Sequence, residues 1–305
     1  MRWFEAIIIG ALLCLLVFGG LNMISYLPIG NASYAKYEGN TTLMPAVGAV
    51  QFYPNMRYVS SNINYSVESA CSAEKTINIL RALDIISSKT VLTFQKVDSG
   101  GQIVYLCSLP APSTEQQGHF VAGEGGPTSI INTTAFSLIL SGQVALYRNE
   151  RCSTPNIAIH ETLHALGFDH VNDPTDIMYP VTDCNKEIKP TMIAAINKLY
   201  SYPTEPDLGI DSLSANRTGR YLNFHIAVSN HGLSDAIKTK LTLTSNAREI
   251  KSFDLGAINV GTRKFLDVQN LIIPSNADKI IFTVKLQDGQ SDLFPADDDA
   301  EITLS

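Results

Sequence analysis

The segment HETLHALGFDH, residues 160 to 170, carries three of the six histidines in the chain. On a helix, residues four apart share a face, so His160 and His164 can aim both imidazoles at one point. That is half of a zinc site. Glu161, one residue on, stands about 100° around the helix, where its carboxylate flanks a metal without ligating it. A third ligand requires the chain to turn back. Gly167 can take a positive φ, end the helix and return His170 to the same point. Three protein ligands leave one tetrahedral position open, which distinguishes a catalytic zinc from a closed structural one. The chemistry such a set supports is metal-assisted hydrolysis with Glu161 as general base. A lone HExxH also arises on ordinary helices, but Gly167 and His170 at these offsets weigh against accident.

The elements that must position these residues are legible as patterns. Thr154 followed by Pro155 reads as an N-cap with proline at the first helical position, so a helix is expected to start there and run through the histidines. Leu163 and Leu166 give it a core contact. Pro190 opens a second helix with Met192, Ile193, Ile196 and Leu199 on its apolar face. Upstream, MRYVS is β-like, and CSAEKTINILRALDII places Ala73, Ile77, Leu80 and Leu83 at helical spacing. TVLTFQKV and QIVYLCSL read as strands joined by the turn signal DSGG, with a loop from Pro110 to Gly118. AGEGG reads as a glycine-rich bend; it lacks the GK[ST] ending of a phosphate loop. Further β-prone runs lie around SII and SGQVALY. After the proline-bearing YPTEPD at 202–207 the pattern becomes alternating: Leu222, Phe224, Ile226, Val228; then Leu241, Leu243; then Ile280, Phe282, Val284, Leu286. Such strands predict a β-sandwich. Asp297, Asp298 and Asp299 have the chemistry of Ca2+ ligands, although a solvated acidic turn is the plainer reading.

The chain has 305 residues, with 22 basic and 29 acidic side chains and a net charge of −7. It has no basic run suited to phosphates, which excludes nucleic acid as the expected partner. Ala6 to Leu27 carries no charge. A secretory apolar core is about 7–15 residues and a spanning helix about 20, so length favours an uncleaved signal anchor that binds the membrane. Gly30, Ala32, Ser33 and Ala35 offer a cleavage site as the alternative, which would release a secreted protein. Arg2 and the amino terminus would stay in the cytoplasm, placing the remainder outside. Cys14 lies in the apolar run, leaving Cys71, Cys107, Cys152 and Cys184 as an even set for an oxidising compartment. Of three pairings, Cys152 with Cys184 brackets the histidines. Sequons at Asn31, Asn40, Asn64, Asn132 and Asn216 all follow the apolar run.

The full pattern H-E-x-x-H-x-x-G-x-x-H resembles the signature of the metzincin zinc peptidases. Met178, followed by Tyr179 and Pro180, is similar to the Met-turn of their matrixin subgroup, in which the methionine underlies the metal ligands without binding. The order of elements from about Asn55 to Tyr202 resembles a matrixin catalytic domain, an α+β fold with a twisted mixed sheet and three main helices. The resemblance implies one catalytic Zn2+, protein or peptide substrates, and an edge strand at Pro127, Thr128, Ser129, Ile130 and Ile131 that pairs with substrate. Val171 stands where matrixins often carry serine, PVT stands in place of P-x-Y, His119 alone makes no second zinc site, and no PRCG switch segment precedes the domain. In the last 100 residues DLGIDSL, the VSNHG turn and the closing DLFPADDDA resemble the CARDB-like adhesion modules, immunoglobulin or fibronectin-like sandwiches, which implies a surface or adhesion partner.

The expected organisation is therefore an anchor at 1–27, a tether at 28–53, a zinc peptidase domain at 54–203 and a sandwich at 204–305. A non-catalytic cell-surface adhesion protein with a structural metal is the competing reading. The intact Glu161 argues against it, because a structural site has no use for a carboxylate beside an open coordination position.

Overall fold

The computed structural model describes residues 33–39, 48–113, 121–181, 183–287 and 289–304. The uncharged run with Cys14, His119, and the sequons Asn31 and Asn40 lie outside the described residues. No described helix is long and apolar enough to cross a membrane.

A six-stranded mixed sheet and three helices form the first unit. Strands β2 (Met56–Tyr58), β3 (Asn62–Val67), β4 (Thr93–Lys96), β5 (Ile103–Leu106) and β7 (Ser137–Leu146) run parallel in the order β2-β7-β5-β3-β4. Strand β6 (Gly123–Asn132) pairs antiparallel with β7 alone and forms an edge. Helix α1 (Ala73–Lys89) is capped by the Ser72 hydroxyl, which accepts from Lys75 N at 3.2 Å. It buries Ile79, Ala82, Leu83 and Ile86 on the sheet. The expected face was offset: Ile77 and Leu80 are exposed, because two apolar sets at the same period flank each other and only packing selects between them. Strand β3, which lies between β5 and β4, has no counterpart among the runs predicted from the sequence. Its polar Asn62, Asn64 and Ser66 obscure the alternation, yet Ile63 and Tyr65 are buried at strand period.

The second unit is a sandwich of two antiparallel sheets. One has the order β1-β8-β9-β12, the other β11-β10-β13-β14. The later strands are β8 (Leu208–Thr218), β9 (Tyr221–Asn230), β10 (Ala236–Ser245), β11 (Arg248–Ile258), β12 (Arg263–Ile272), β13 (Lys279–Leu286) and β14 (Asp299–Thr303). Leu222, Phe224, Ile226 and Val228 from one sheet meet Leu241, Leu243, Ile280, Phe282 and Val284 from the other in one core. Strand β1 (Ser33–Glu38) comes from the segment expected to be a tether. It pairs with β8 from Ser33↔Arg217 to Glu38↔Ser212, with Ala35 and Tyr37 turned to the core. The chain thus lays down one sandwich strand before entering the mixed-sheet unit. Six residues with one small apolar side chain gave too weak an alternation to distinguish from a linker.

Disulfides join Cys71 to Cys107 and Cys152 to Cys184, which fits an extracellular domain. The two units share a buried cluster of Ala135, Phe136, Leu138 and Leu233, with Tyr202 edge-on to both Phe136 and Phe294.

The acidic run differs from a solvated turn. Asp297 is only 6% exposed, in a single 3-10 turn packed on β8. Buried oxygens of Asp297 and Asp298 have no hydrogen-bond partner. Among the described residues, only the three histidines bring three histidine, cysteine or carboxylate ligand atoms together. Burial, with Asp292 and Asp297 close by, pushes Asp298 up to about 8, and burial raises Asp207 as well. An unfolded aspartate titrates near 3.9. At these two groups the folded state therefore holds more protons than the unfolded one between about pH 4 and 8, so their contribution to stability falls as pH rises through that window. The melting temperature of the wild type relative to Asp298→Asn is expected to fall between about pH 5 and pH 8; an equal pH dependence in the two proteins would refute the assignment.

Candidate metal centre

Helix α2 (Asn156–Ala165) carries the first two histidines. Its start is not capped by Thr154 as expected. Glu150 takes that place, accepting from Ile157 N at 2.8 Å through one oxygen and from Arg151 and Cys152 N at 2.9 and 3.1 Å through the other. A carboxylate outcompetes a hydroxyl there because it also meets the positive end of the helix dipole. Buried Asn156 donates to Asp183 O at 2.7 Å, and the Cys152–Cys184 bridge ties the same two segments covalently.

The helix ends in a Schellman motif. Gly167 N donates to His164 O at 2.9 Å and Phe168 N to Leu163 O at 3.1 Å. Gly167 has φ of +96°, and a Cβ there would lie 2.5 Å from Met56 Cγ, so both backbone and packing require glycine. This reversal delivers His170. The three Nε2 atoms then stand 3.0, 3.1 and 3.3 Å apart. Tetrahedral zinc with Zn–N of about 2.0–2.1 Å needs ligand nitrogens roughly 3.3–3.4 Å apart, so the cluster fits the ion closely. Two rings are fixed from behind: His160 Nδ1 donates to Ile177 O at 2.6 Å and His164 Nδ1 to Phe168 O at 2.7 Å. Those bonds place the proton on Nδ1 and the lone pair on Nε2. Burial lowers the His160 imidazole to about 4 and pulls His164 down too, which keeps both neutral for a cation.

Met178 is fully buried in the turn after His170. Its N–H donates to Asp176 Oδ1 at 2.8 Å and its carbonyl accepts from Val171 N at 3.0 Å. The same turn presents the Ile177 carbonyl to His160.

Strand β6 crosses this helix at Glu161. The segment read as a glycine-rich bend is extended strand, and its glycines serve close approach. A Cβ on Gly123 would lie 2.7 Å from Glu161 Cγ, and one on Gly125 only 2.0 Å from Glu161 O. Gly125 N donates to the Glu161 carboxylate. Burial, with Glu124 adjacent, pushes that carboxyl up to about 8 in the absence of a cation; a dication at the histidines favours its charged form. Gly125→Ala is expected to cost about 1–3 kcal/mol by overpacking and to lower kcat by displacing the Gly125 N–H. Thermal unfolding and turnover measured together check this, and a variant with native stability and kcat would contradict it.

A cavity of about 1220 Å³ opens at the histidines and Glu161, walled by Arg148–Cys152, Ile157, Pro180 and Val181. Beside it, about 450 Å³ lies between Phe52, Tyr53 and Met56 on one side and Gly126–Ile130 on the other. Of the residues expected to meet substrate, Pro127 to Ile130 line this second cavity and Ile131 does not; the other edge of β6 has no strand partner among the described residues. Phe52 is a site residue that sequence reasoning missed. Its ring stacks on His164 at 5.6 Å, held by Phe52 N to Gly167 O and Asp169 N to Val50 O, both 3.1 Å. The aromatic pair in QFYP was the available signal.

Residues 55–201 match the Matrixin (peptidase M10) family model. With three convergent histidines on a matrixin-like metallopeptidase domain, the protein is a zinc metalloendopeptidase.

Proposed function

We propose that this peptidase hydrolyses extended segments of extracytoplasmic proteins, with Glu161 as its general base and β6 as the strand on which substrate lies. The observation that carries this reading is the Glu161 carboxylate, buried beside the three-histidine cluster and oriented by the Gly125 N–H of the groove strand. Zinc, when bound, supplies Lewis acidity and a water of lowered pKa. Glu161 accepts the proton of the attacking water and passes it to the departing amine. The unpaired edge of β6 supports substrate binding by β-augmentation, in which main-chain hydrogen bonds hold a peptide of any sequence and the flanking cavities sort its side chains. Met178 acts as an apolar floor beneath the ligands, and its turn fixes His160 through Ile177 O.

The uncharged run Ala6–Leu27 supports membrane anchoring with the peptidase outside, and the two disulfides agree with that side. The strand rhythm of the last 100 residues supports a CARDB-like module that contacts a surface partner. Incubating the purified chain with an unfolded protein tests the reading: cleavage is expected, should stop with a zinc chelator and should return with added zinc. Protein that stays folded and zinc-loaded yet cleaves nothing would leave the adhesion reading in its place.

A further inference from the structure

The far end of β6 is held by the sandwich and not by the peptidase fold alone. At the β6–β7 turn, Thr133 Oγ1 donates to His231 O at 2.8 Å, and Thr134 Oγ1 lies 3.0 Å from His231 Nδ1. His231 Nε2 is 2.9 Å from Asp211 Oδ1, while Asp211 Oδ2 takes Arg263 and the Ser229 hydroxyl. The series Thr134–His231–Asp211 has the order of a nucleophilic array, but His231 is 7% exposed at a domain junction, where a substrate has no approach. It reads as a strut. Beside it, Gly261 of the β11–β12 turn has φ of +69°, and a Cβ there would stand 2.3 Å from Ile131 Cγ2. Gly261 N donates to Asn230 O at 2.9 Å, so strut and turn form one hydrogen-bonded block. Leu233 of that block completes the apolar cluster with Ala135, Phe136 and Leu138.

We infer that the sandwich is a positioning domain for the substrate strand: through His231 and Gly261 it fixes the Ile130–Asn132 end of β6, extending the groove for long substrates. The inference rests on the reading that peptides lie along β6. Gly125 marks the catalytic end of that strand, and Ile131 is six residues away, about 20 Å at 3.4 Å per residue. A short peptide spanning the scissile bond does not reach it. Only substrates extended along that arm feel how firmly the end is held.

The test uses the full-length zinc-loaded chain with two substitutions outside the metal centre, Thr134→Val, which removes the hydroxyl beside His231, and Gly261→Ala, which pushes on Ile131. Hydrogen exchange is expected to quicken at the Ser129–Asn132 amides by about 3- to 10-fold, the size of one lost hydrogen bond, with α2 unchanged. For peptides sharing one scissile bond, KM should rise by a similar factor for the form extended along that arm. The short form should keep its KM, and kcat should hold for both. Native exchange at those amides, or equal loss on short and long peptides, overturns the inference. If the wild type cleaves neither peptide, the peptidase reading fails and takes the substrate half with it, while the exchange still decides whether the sandwich holds the strand.

Discussion

Replacing Glu161 by glutamine is expected to lower the turnover of a peptide substrate by about 10²–10⁴-fold, the usual contribution of a general base, while one zinc per chain remains bound. The substitution keeps the size of the side chain and an oxygen to accept the Gly125 N–H, so β6 and α2 stay in register. What it removes is the capacity to take a proton. KM should therefore change little, since the proposed substrate contacts are on β6 and in the cavities on either side. Steady-state kinetics and metal content on the same preparation check both halves. Turnover within a few-fold of wild type would mean that another group carries the proton.

His170→Ala is expected to have the largest effect on the metal. His160 and His164 are held rigidly by Ile177 O and Phe168 O, but two nitrogens alone make a poor zinc site. Loss of an outer-shell partner costs roughly 10–100-fold in metal affinity, and loss of a ligand itself should exceed that. The fold should tolerate the change, because His170 is exposed while Leu163, Leu166 and Phe168 remain packed in the core. Competition with a chromophoric chelator would measure the affinity. An affinity equal to wild type would remove His170 from the ligand set.

The metal centre was legible because each step of it is local. Helical period pairs His160 with His164, and a single glycine in the left-handed region brings back His170, so eleven residues specify the geometry. The close packing of the groove strand on Glu161 was not legible for the opposite reason. Gly123 and Gly125 are glycines because β6 presses on Glu161 across the fold, and a one-dimensional pattern cannot separate that need from a turn. Phe52 reaches His164 through backbone contacts with a loop more than 110 residues later. Strand β1 is specified by β8, which follows an entire intervening domain. Glu150 caps α2 from outside the helix, where the nearer Thr154–Pro155 pair gave a stronger local signal. In each case the determinant lies outside the element it shapes, where a local pattern does not record it.

The most direct measurement is the cleavage profile of a random peptide library treated with the purified zinc-loaded chain, read by mass spectrometry. Internal bonds should be cut, cleavage should vanish in Glu161→Gln and on zinc removal, and productive peptides should extend several residues on both sides of the scissile bond. A folded protein with one zinc per chain that leaves the library intact, or that cuts equally well without Glu161, would contradict the assignment of this cleft as the site of peptide hydrolysis.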